Sequence, residues 1–201
     1  MDMYVADRIK EVLERLDLDI ETIRNSPDTM CIIDPQFRLL AYNQAWVDFA
    51  RSNDGADVLT TYPLGSSILT AFADAVKPFY TSAYASALRT HAVFAHDYEC
   101  SSPDRYRLFH QTAYPLAGGT GLLITHHLIE EMGHKEQSSQ FSPRFLDPHG
   151  HIIQCCHCRK IQDPSEHLKW IWVPEILRTP PHPISHTLCP RCLDFYYPAE
   201  E

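Results

Sequence analysis

The feature that most constrains this chain is a pair of cysteine motifs in its last third, Cys155-x-x-Cys158 and Cys189-x-x-Cys192. Two cysteines separated by two residues can present both thiolates to one ion from a single tight turn. A second such turn completes a tetrahedral site of four sulfurs, which suits Zn²⁺ or, less often, iron. The sequence therefore predicts one metal ion held by these four cysteines.

The predicted zinc is structural rather than catalytic, because four cysteine ligands leave no open coordination position for water. Residues 149–201 are too few to build a large core, so metal binding would supply part of the folding free energy of this segment. The nearby cations Arg159, Lys160 and Arg191 are expected to offset the negative charge of the four thiolates.

Other residues near the motifs leave alternatives open. Cys156 or His157, inside the first motif, could replace one of the four ligands, whereas His186 is expected to pack beside the site. A thioredoxin-like redox pair would need a helix after the motif within a β-α-β unit, and no such unit is predicted around either pair.

Composition limits the function classes. The chain has seven cysteines, so a secreted disulfide framework would leave one unpaired, and a reducing cytoplasm is the expected location. A net charge of −9 gives no basic field to attract nucleic acid or an anionic membrane surface. Between residues 141 and 201, six Lys and Arg residues stand against seven Asp and Glu, which disfavours direct nucleic-acid binding. No apolar run predicts a signal peptide or a membrane span.

The N-terminal stretch predicts an amphipathic helix over residues 4–24, ending at Asn25-Ser26-Pro27. Its apolar residues recur at steps of three and four: Val5, Ile9, Val12, Leu16, Ile20 and Ile23. Such a stripe suits packing on the following domain or pairing with a second copy of the chain. We expect a homodimer.

The middle of the chain predicts two strands, a run of helices and three strands. The first strand pair runs from Met30 to Tyr42, and Asn43 begins a helix that ends near Asn53. Residues 56–65 are predicted as a loop, and further helices begin at Ser66 or Ser67 and at Pro78. The last strands occupy about 92–100, 105–115 and 121–129. This order predicts an α+β domain, a five-stranded antiparallel sheet with helices on one face.

Residues 26–131 resemble a PAS domain in the order of these elements and in short motifs. Asn43-Gln44-Ala45-Trp46 matches the start of the first PAS helix, and Cys100-Ser101-Ser102-Pro103 matches a later segment. Arg107-Leu108-Phe109 keeps the Arg and Phe of that segment but has Leu where the pattern has Trp. The resemblance implies a role in signal transduction, as a sensor or an adaptor.

The segment after residue 149 is similar to a zinc-binding C-terminal tail of some bacterial signalling proteins, and is expected to be a small zinc-ribbon-like module. Besides the four cysteines, the matching residues are Lys160, Ile161, Asp163, Ser185, His186 and Pro190. The expected organisation is a helix over 1–25, a PAS-like domain over 26–131, a linker over 132–148 and the zinc module over 149–201.

PAS domains often hold haem, flavin or a small metabolite between the helices and the sheet, and many hold nothing. The resemblance implies a possible pocket at Tyr80, Tyr84, His91, Phe109 and His110, with the two histidines as the first candidates for haem. A bound haem or other ligand is possible but not expected, and the three aromatic residues also suit an ordinary core.

No catalytic signature stands out, and no kinase, cyclase or chemotaxis output region follows the PAS match. We expect a non-enzymatic regulatory protein, a PAS sensor or adaptor with a structural zinc site, that acts by contact with an unidentified protein partner. The tail is expected to present aromatic residues to that partner, namely Trp170, Trp172, Tyr196 and Tyr197. The alternatives are a cofactor-binding PAS sensor and a zinc-dependent nucleic-acid adaptor.

Overall fold

The structure, a computed structural model, describes residues 4–5, 19–53, 55, 57–102, 104–133 and 140–198. The described helices are α1 (Ile20–Asn25), α2 (Gln44–Ser52), α3 (Val58–Thr61), α4 (Lys77–Thr90), α5 (Pro174–Arg178) and α6 (Pro190–Tyr196). The described strands are β1 (Tyr4–Val5), β2 (Thr29–Ile33), β3 (Leu39–Tyr42), β4 (Phe94–Glu99), β5 (Arg105–Pro115), β6 (Leu122–Gly133), β7 (Ile152–Cys155), β8 (Ile161–Asp163), β9 (Glu166–Ile171) and β10 (Ile184–Thr187).

The chain divides into two compact units whose boundaries differ from the predicted domains. Unit 1 comprises Met1–Phe72, Tyr80–Tyr98 and Phe109–Leu128. Unit 2 comprises Ala73–Phe79, Glu99–Leu108 and Ile129–Glu201. The beginning of α4 and the turn between β4 and β5 therefore belong to the same unit as the cysteine motifs, although the sequence places them in the PAS-like domain.

The first sheet confirms the predicted α+β class. Its strand order is β1-β3-β2-β6-β5-β4, which is the predicted five strands with the two-residue β1 added at one edge. β2 lies between β3 and β6 and pairs antiparallel with both, so that Cys31 is opposite Tyr42 on one side and Ile124 on the other. Cys31, Ile32 and Ile33 are consecutive and all buried, so both faces of β2 are covered there and its hydrophobic run needs no alternation.

Helices α2 and α4 pack on the same face of this sheet. The rings of Phe49 of α2 and Phe109 of β5 pack edge to face with their centroids 5.5 Å apart. The ring centroids of Tyr84 of α4 and Phe94 of β4 are 6.2 Å apart. Tyr98 stacks on Phe109, and in a strand residues two or four apart face the same side, so Phe94, Tyr98 and Phe109 all point toward the helices. The interior of unit 1 lies between this face and the two helices.

The predicted N-terminal helix, residues 4–24, is confirmed at its C-terminal end, where α1 runs from Ile20, and is wrong at its first residues. Tyr4 and Val5 form β1 and pair with Tyr42 and Ala41 of β3, because a free sheet edge can satisfy their backbone and both residue types favour strands. Asp19 has a non-helical backbone and caps α1 by accepting from the Thr22 N–H, so the helix there begins at Ile20. The rest of the predicted helix, residues 6–18, lies outside the described residues.

Two predicted elements between α2 and α4 are also corrected. The predicted loop contains α3, and the predicted helix after it is only a 3₁₀ turn, Ile68–Ala71, capped by Ser67 as expected. The turn stops because Phe72 takes an extended backbone conformation. This conformation brings the Phe72 ring onto Tyr80, with ring centroids 4.1 Å apart. Burial of the two stacked rings therefore outweighs the helical periodicity of the segment.

Unit 2 contains a second sheet with the order β10-β7-β8-β9, in which β10 runs parallel to β7. A small apolar core supports it, formed by Phe145, Ile152, Ile161, Val173 and Ile176. Phe145 lies in the segment predicted as linker, where it is fully buried and ends a 3₁₀ turn, Pro143–Phe145. The linker prediction is therefore too long at its C-terminal end, because one aromatic residue in a polar stretch joins this core.

Among the described helices, none combines the length and the apolar character that crossing a membrane requires.

Candidate metal centre

The first cysteine pair lies on the tight turn between β7 and β8. Cys155 ends β7, its N–H donates to the Lys160 carbonyl (2.8 Å), and its carbonyl accepts from the Arg159 N–H (3.0 Å). Arg159 has a φ of 62°, a left-handed conformation that closes the turn directly after Cys158. These bonds hold both thiols on one side of the turn.

The second pair lies at the beginning of α6. Cys189 is the N-cap residue, Pro190 occupies the first helical position, and the Leu193 N–H donates to the Cys189 carbonyl at 2.8 Å. A proline at this position costs nothing because the first helical N–H has no partner within the helix. One helical turn therefore separates Cys189 from Cys192. The sequence predicts a second tight turn for this pair, whereas in the structure the pair lies at the beginning of a helix.

The four thiols form a compact buried cluster. The Sγ atoms of Cys155, Cys158, Cys189 and Cys192 all lie within 4.8 Å of one another, and all four residues are buried. The Sγ atoms of Cys158 and Cys189 are 3.7 Å apart. A tetrahedral ion with Zn–S bonds of about 2.3 Å holds its sulfurs about 3.8 Å apart. The donor set and its spacing therefore fit a zinc-sized ion.

The thiols oppose one another's ionisation. The pKa of Cys155 lies well below its usual value because the other three thiols donate hydrogen bonds to its sulfur. The pKa of Cys158 is raised because it shares its proton with Cys155 and because it is buried. The pKa of Cys189 is also lowered and that of Cys192 is raised, so part of the cluster ionises while the rest keeps its protons. A bound cation is the natural way to stabilise four thiolates together.

Two of the three cations expected beside the site form ion pairs with a carboxylate of the same unit. Glu99 accepts from Arg191 at 3.3 Å and lies 3.6 Å from the Lys160 Nζ. The Glu99 side chain is largely buried, whereas that of Arg191 is 80% exposed. Sequence reasoning missed Glu99, since nothing in its local sequence relates it to cysteines more than fifty residues later.

His157 and Tyr196 form an outer layer on the centre. The Nδ1 of His157 lies 3.6 Å from Cys192 Sγ, and its Nε2 lies 2.6 Å from the hydroxyl of Tyr196. Burial lowers the pKa of His157. Neither His157 nor Cys156 belongs to the four-thiol cluster, and His186 on β10 is exposed.

Tyr196 could have been found from the sequence. It follows Cys192 by four residues, which places it over the same face of α6. The structure also changes the aromatic surface expected for a partner, because Trp172 and Tyr196 are buried and Tyr197 is exposed.

The predicted PAS pocket residues separate into two groups. Tyr80, Tyr84 and Phe109 are buried in the interior of unit 1. His91 follows the end of α4 and is exposed, and His110 lies near the surface with its Nδ1 2.6 Å from the Asp97 carboxylate. The structure thus brings together the three aromatic residues and leaves both histidines outside that interior.

The interior contains polar pairs that sequence reasoning missed. The Tyr80 hydroxyl lies 3.0 Å from His96 Nε2, and the Tyr84 hydroxyl donates to the Gln111 side-chain oxygen at 3.2 Å. A third pair joins the Tyr98 hydroxyl to His126 Nδ1 at 2.8 Å. Strand alternation is the signal that could have found them, because His96 and Tyr98 share a face and so do Phe109 and Gln111.

Comparison with known proteins gives similarity to solved structures alone. No protein-family model matches the chain, and no curated protein matches it. The PAS domain of Bordetella pertussis BvgS is 17% identical, with a TM-score of 0.43, over 64% of this chain and 90% of that one. A PAS domain from Colwellia psychrerythraea is 13% identical, with a TM-score of 0.40, over 59% and 97%. The phage VqmA–DPO complex is 14% identical, with a TM-score of 0.41, over 61% of this chain, which spans 53% of the VqmA chain.

Proposed function

We propose that this protein is a non-enzymatic regulator in which a PAS-like unit serves as sensor or adaptor and a structural zinc ion folds the tail. The signal passes by contact with another protein. The observation that carries the proposal is the buried cluster of four thiols within 4.8 Å of one another. This cluster joins the β7–β8 turn to the beginning of α6, two segments more than thirty residues apart in the chain.

The composition of the cluster supports a structural rather than a catalytic role. When bound, zinc would supply a cross-link between the two segments. Cys155, Cys158, Cys189 and Cys192 would occupy the four positions of a tetrahedral ion, leaving none for water or a substrate. Among the described residues, the supporting core is small, with five buried apolar residues and four partly buried ones packed against them, so the cross-link would contribute much of the stability of unit 2.

Exposed apolar residues on α6 support action by protein contact. Leu193 and Phe195 of α6, and Tyr197 directly after it, are between 43% and 47% exposed. Leu193 and Tyr197 are four residues apart and so lie on one side of the helix, and exposed apolar side chains on one face favour a protein interaction surface. Metal binding would order this helix and so hold the three side chains in one arrangement.

The first cysteine motif offers a matched pair of variants to test the structural role. Cys158→Ser removes a ligand, whereas Cys156→Ser changes a cysteine of the same turn that lies outside the cluster. We expect Cys158→Ser to lose the metal and the hydrogen-exchange protection of residues 152–196, while residues 29–42 keep theirs. Cys156→Ser should retain both. Equal protection in both variants would contradict a structural metal.

Dimer formation remains part of the proposal and has a direct test. Light scattering coupled to size exclusion, with the full chain at tens of micromolar, should give twice the mass of 23.1 kDa. Deleting residues 1–24 should reduce the dimer fraction if the N-terminal segment contributes to the contact. A monomer at all concentrations would rule out this part of the proposal.

A second candidate function, a sensor that binds a cofactor or small molecule, is favoured by the interior of unit 1. Two buried side-chain pairs, Tyr80–His96 and Tyr84–Gln111, and the partly buried pair Tyr98–His126 supply donors and acceptors among aromatic rings. Such a mixture is typical of small-molecule sites. An absorbance scan and native mass spectrometry of gently purified protein test it. A Soret band, a flavin band or an added ligand mass would support this candidate, and a featureless spectrum with the bare mass of chain and metal would count against it.

A further inference from the structure

We propose that His157 is a positioning residue of the metal centre, donating its Nδ1–H to the sulfur of Cys192 while Tyr196 fixes the tautomer that makes this possible. The inference rests on the proposed metal centre and goes beyond it. His157 thereby has a defined role although it is not a ligand.

The three groups form a short chain of contacts directed at the metal-binding sulfur. His157 Nδ1 lies 3.6 Å from Cys192 Sγ, within the range of an N–H···S hydrogen bond, and its Nε2 lies 2.6 Å from the Tyr196 hydroxyl. The Tyr196 ring also meets the His157 ring edge to face, with centroids 4.9 Å apart. One imidazole therefore bridges a ligand sulfur and a phenol.

The chemistry of the two ends decides where the imidazole proton lies. A metal-bound thiolate accepts hydrogen bonds and cannot donate, whereas a tyrosine hydroxyl can do either. A neutral imidazole carries one N–H. With the proton on Nδ1, the ring donates to sulfur and accepts from Tyr196. With the proton on Nε2, the unprotonated Nδ1 would face a thiolate, which is repulsive. The geometry thus selects the first tautomer.

Tyr196 is itself held in place, so it can fix the ring. It follows Cys192 by one helical turn on α6, and the side chain is buried. Phe79, in the same compact unit, meets the Tyr196 ring edge to face at 4.9 Å. The hydroxyl therefore reaches the imidazole from a fixed direction, as partners of metal-site groups do in general.

An N–H donor withdraws negative charge from the sulfur that it contacts. Cys192 should therefore be a weaker nucleophile than without the donor, and metal release, which begins when a ligand sulfur is protonated or attacked, should be slower. His157 would in this way slow both loss of the metal and alkylation of Cys192.

Three variants of the full chain separate this role from packing. His157→Leu removes both ring nitrogens and keeps an apolar side chain. His157→Asn retains an N–H donor at the position of Nδ1 but cannot reach Tyr196. Tyr196→Phe removes only the hydroxyl and leaves the ring contacts with Phe79 intact.

Each protein is loaded with cobalt(II), and two quantities are measured: the sulfur-to-cobalt charge-transfer band, and the rate of metal transfer to a chelator. For His157→Leu we expect a band at longer wavelength and transfer about 10- to 100-fold faster, the usual effect of losing such a partner. Tyr196→Phe should speed transfer about threefold, as for one lost hydrogen bond. His157→Asn should restore the wild-type band and most of the slow transfer.

The inference is overturned if His157→Leu and Tyr196→Phe keep the wild-type band and transfer rate. It is also overturned if His157→Asn behaves like His157→Leu, because the role would then be packing. A wild-type protein that takes up no cobalt or zinc would instead refute the metal centre itself, so the two failures are distinct.

Discussion

The side chain of Asn43 should contribute more to the stability of unit 1 than any ordinary helix cap. It is fully buried, and its Oδ1 accepts from the Met30 N–H (3.0 Å) and the Trp46 N–H (3.1 Å). Its Nδ2 donates to the carbonyls of Asp28 (2.8 Å) and Ile23 (3.2 Å). One amide thus joins the end of α1, the beginning of β2 and the N-terminus of α2, and Asn43→Ala removes all four bonds.

The expected cost is the sum of a lost cap and three unpaired backbone groups. Loss of an N-cap costs about 1 kcal/mol. A buried backbone group left without a partner costs about 1 kcal/mol or more. We therefore expect Asn43→Ala to lower the free energy of unfolding by about 4 kcal/mol. The matched control is Ser67→Ala, whose side chain accepts a single bond, from the Leu69 N–H, and should cost about 1 kcal/mol.

Urea titration followed by hydrogen exchange measures the two costs in the full chain. Peptides covering residues 23–46 report on unit 1 without interference from unit 2. A difference between Asn43→Ala and Ser67→Ala smaller than about 1 kcal/mol would refute the reasoning, because the three additional bonds of Asn43 would then contribute nothing.

Two further predictions concern unit 1. Gly121→Ala should destabilise it severely, because a Cβ there would lie 2.1 Å from the Ile33 carbonyl oxygen. A Cβ at Gly119 would meet nothing within 4 Å, so Gly119→Ala should cost only about 1 kcal/mol. Chemical denaturation compares the stability of the two variants. Burial lowers the pKa of His126 to about 4, so the unfolded chain binds the extra proton between about pH 6.5 and 4, and stability falls as pH drops through that window. Between pH 7 and pH 5 the free energy of unfolding should fall by about 2 kcal/mol more in wild type than in His126→Asn. An equal fall in both proteins would contradict this prediction.

The four-thiol cluster could be predicted from sequence because the spacing of its cysteines is a local property. Two residues between cysteines fix a turn whatever the rest of the chain does, and the structure brings together the same four thiols. Glu99 and Phe79 could not be predicted in this way. They approach the site through the tertiary fold, from segments separated from the cysteines by dozens of residues, and their own neighbours in the chain give no sign of it.

The same distinction between local sequence patterns and tertiary contacts applies to the fold. Strands β2 to β6 and helices α2 and α4 follow from strong local patterns, such as Asn43 before an apolar helical face. The errors arise where a tertiary contact overrides a local pattern. Val5 fits a helical stripe, yet it and Tyr4 pair with an open strand edge. Phe145 lies in a polar stretch but completes an apolar core. Helical periodicity cannot reveal a distant edge or cavity that a residue will fill.

The most direct test of the account is the metal content of the folded full chain, measured by native mass spectrometry together with elemental analysis. We predict one zinc per chain, and loss of exchange protection in unit 2 when a chelator removes the zinc. The contradicting result is a zinc-free chain whose residues 152–196 remain as protected from exchange as they are in the untreated protein.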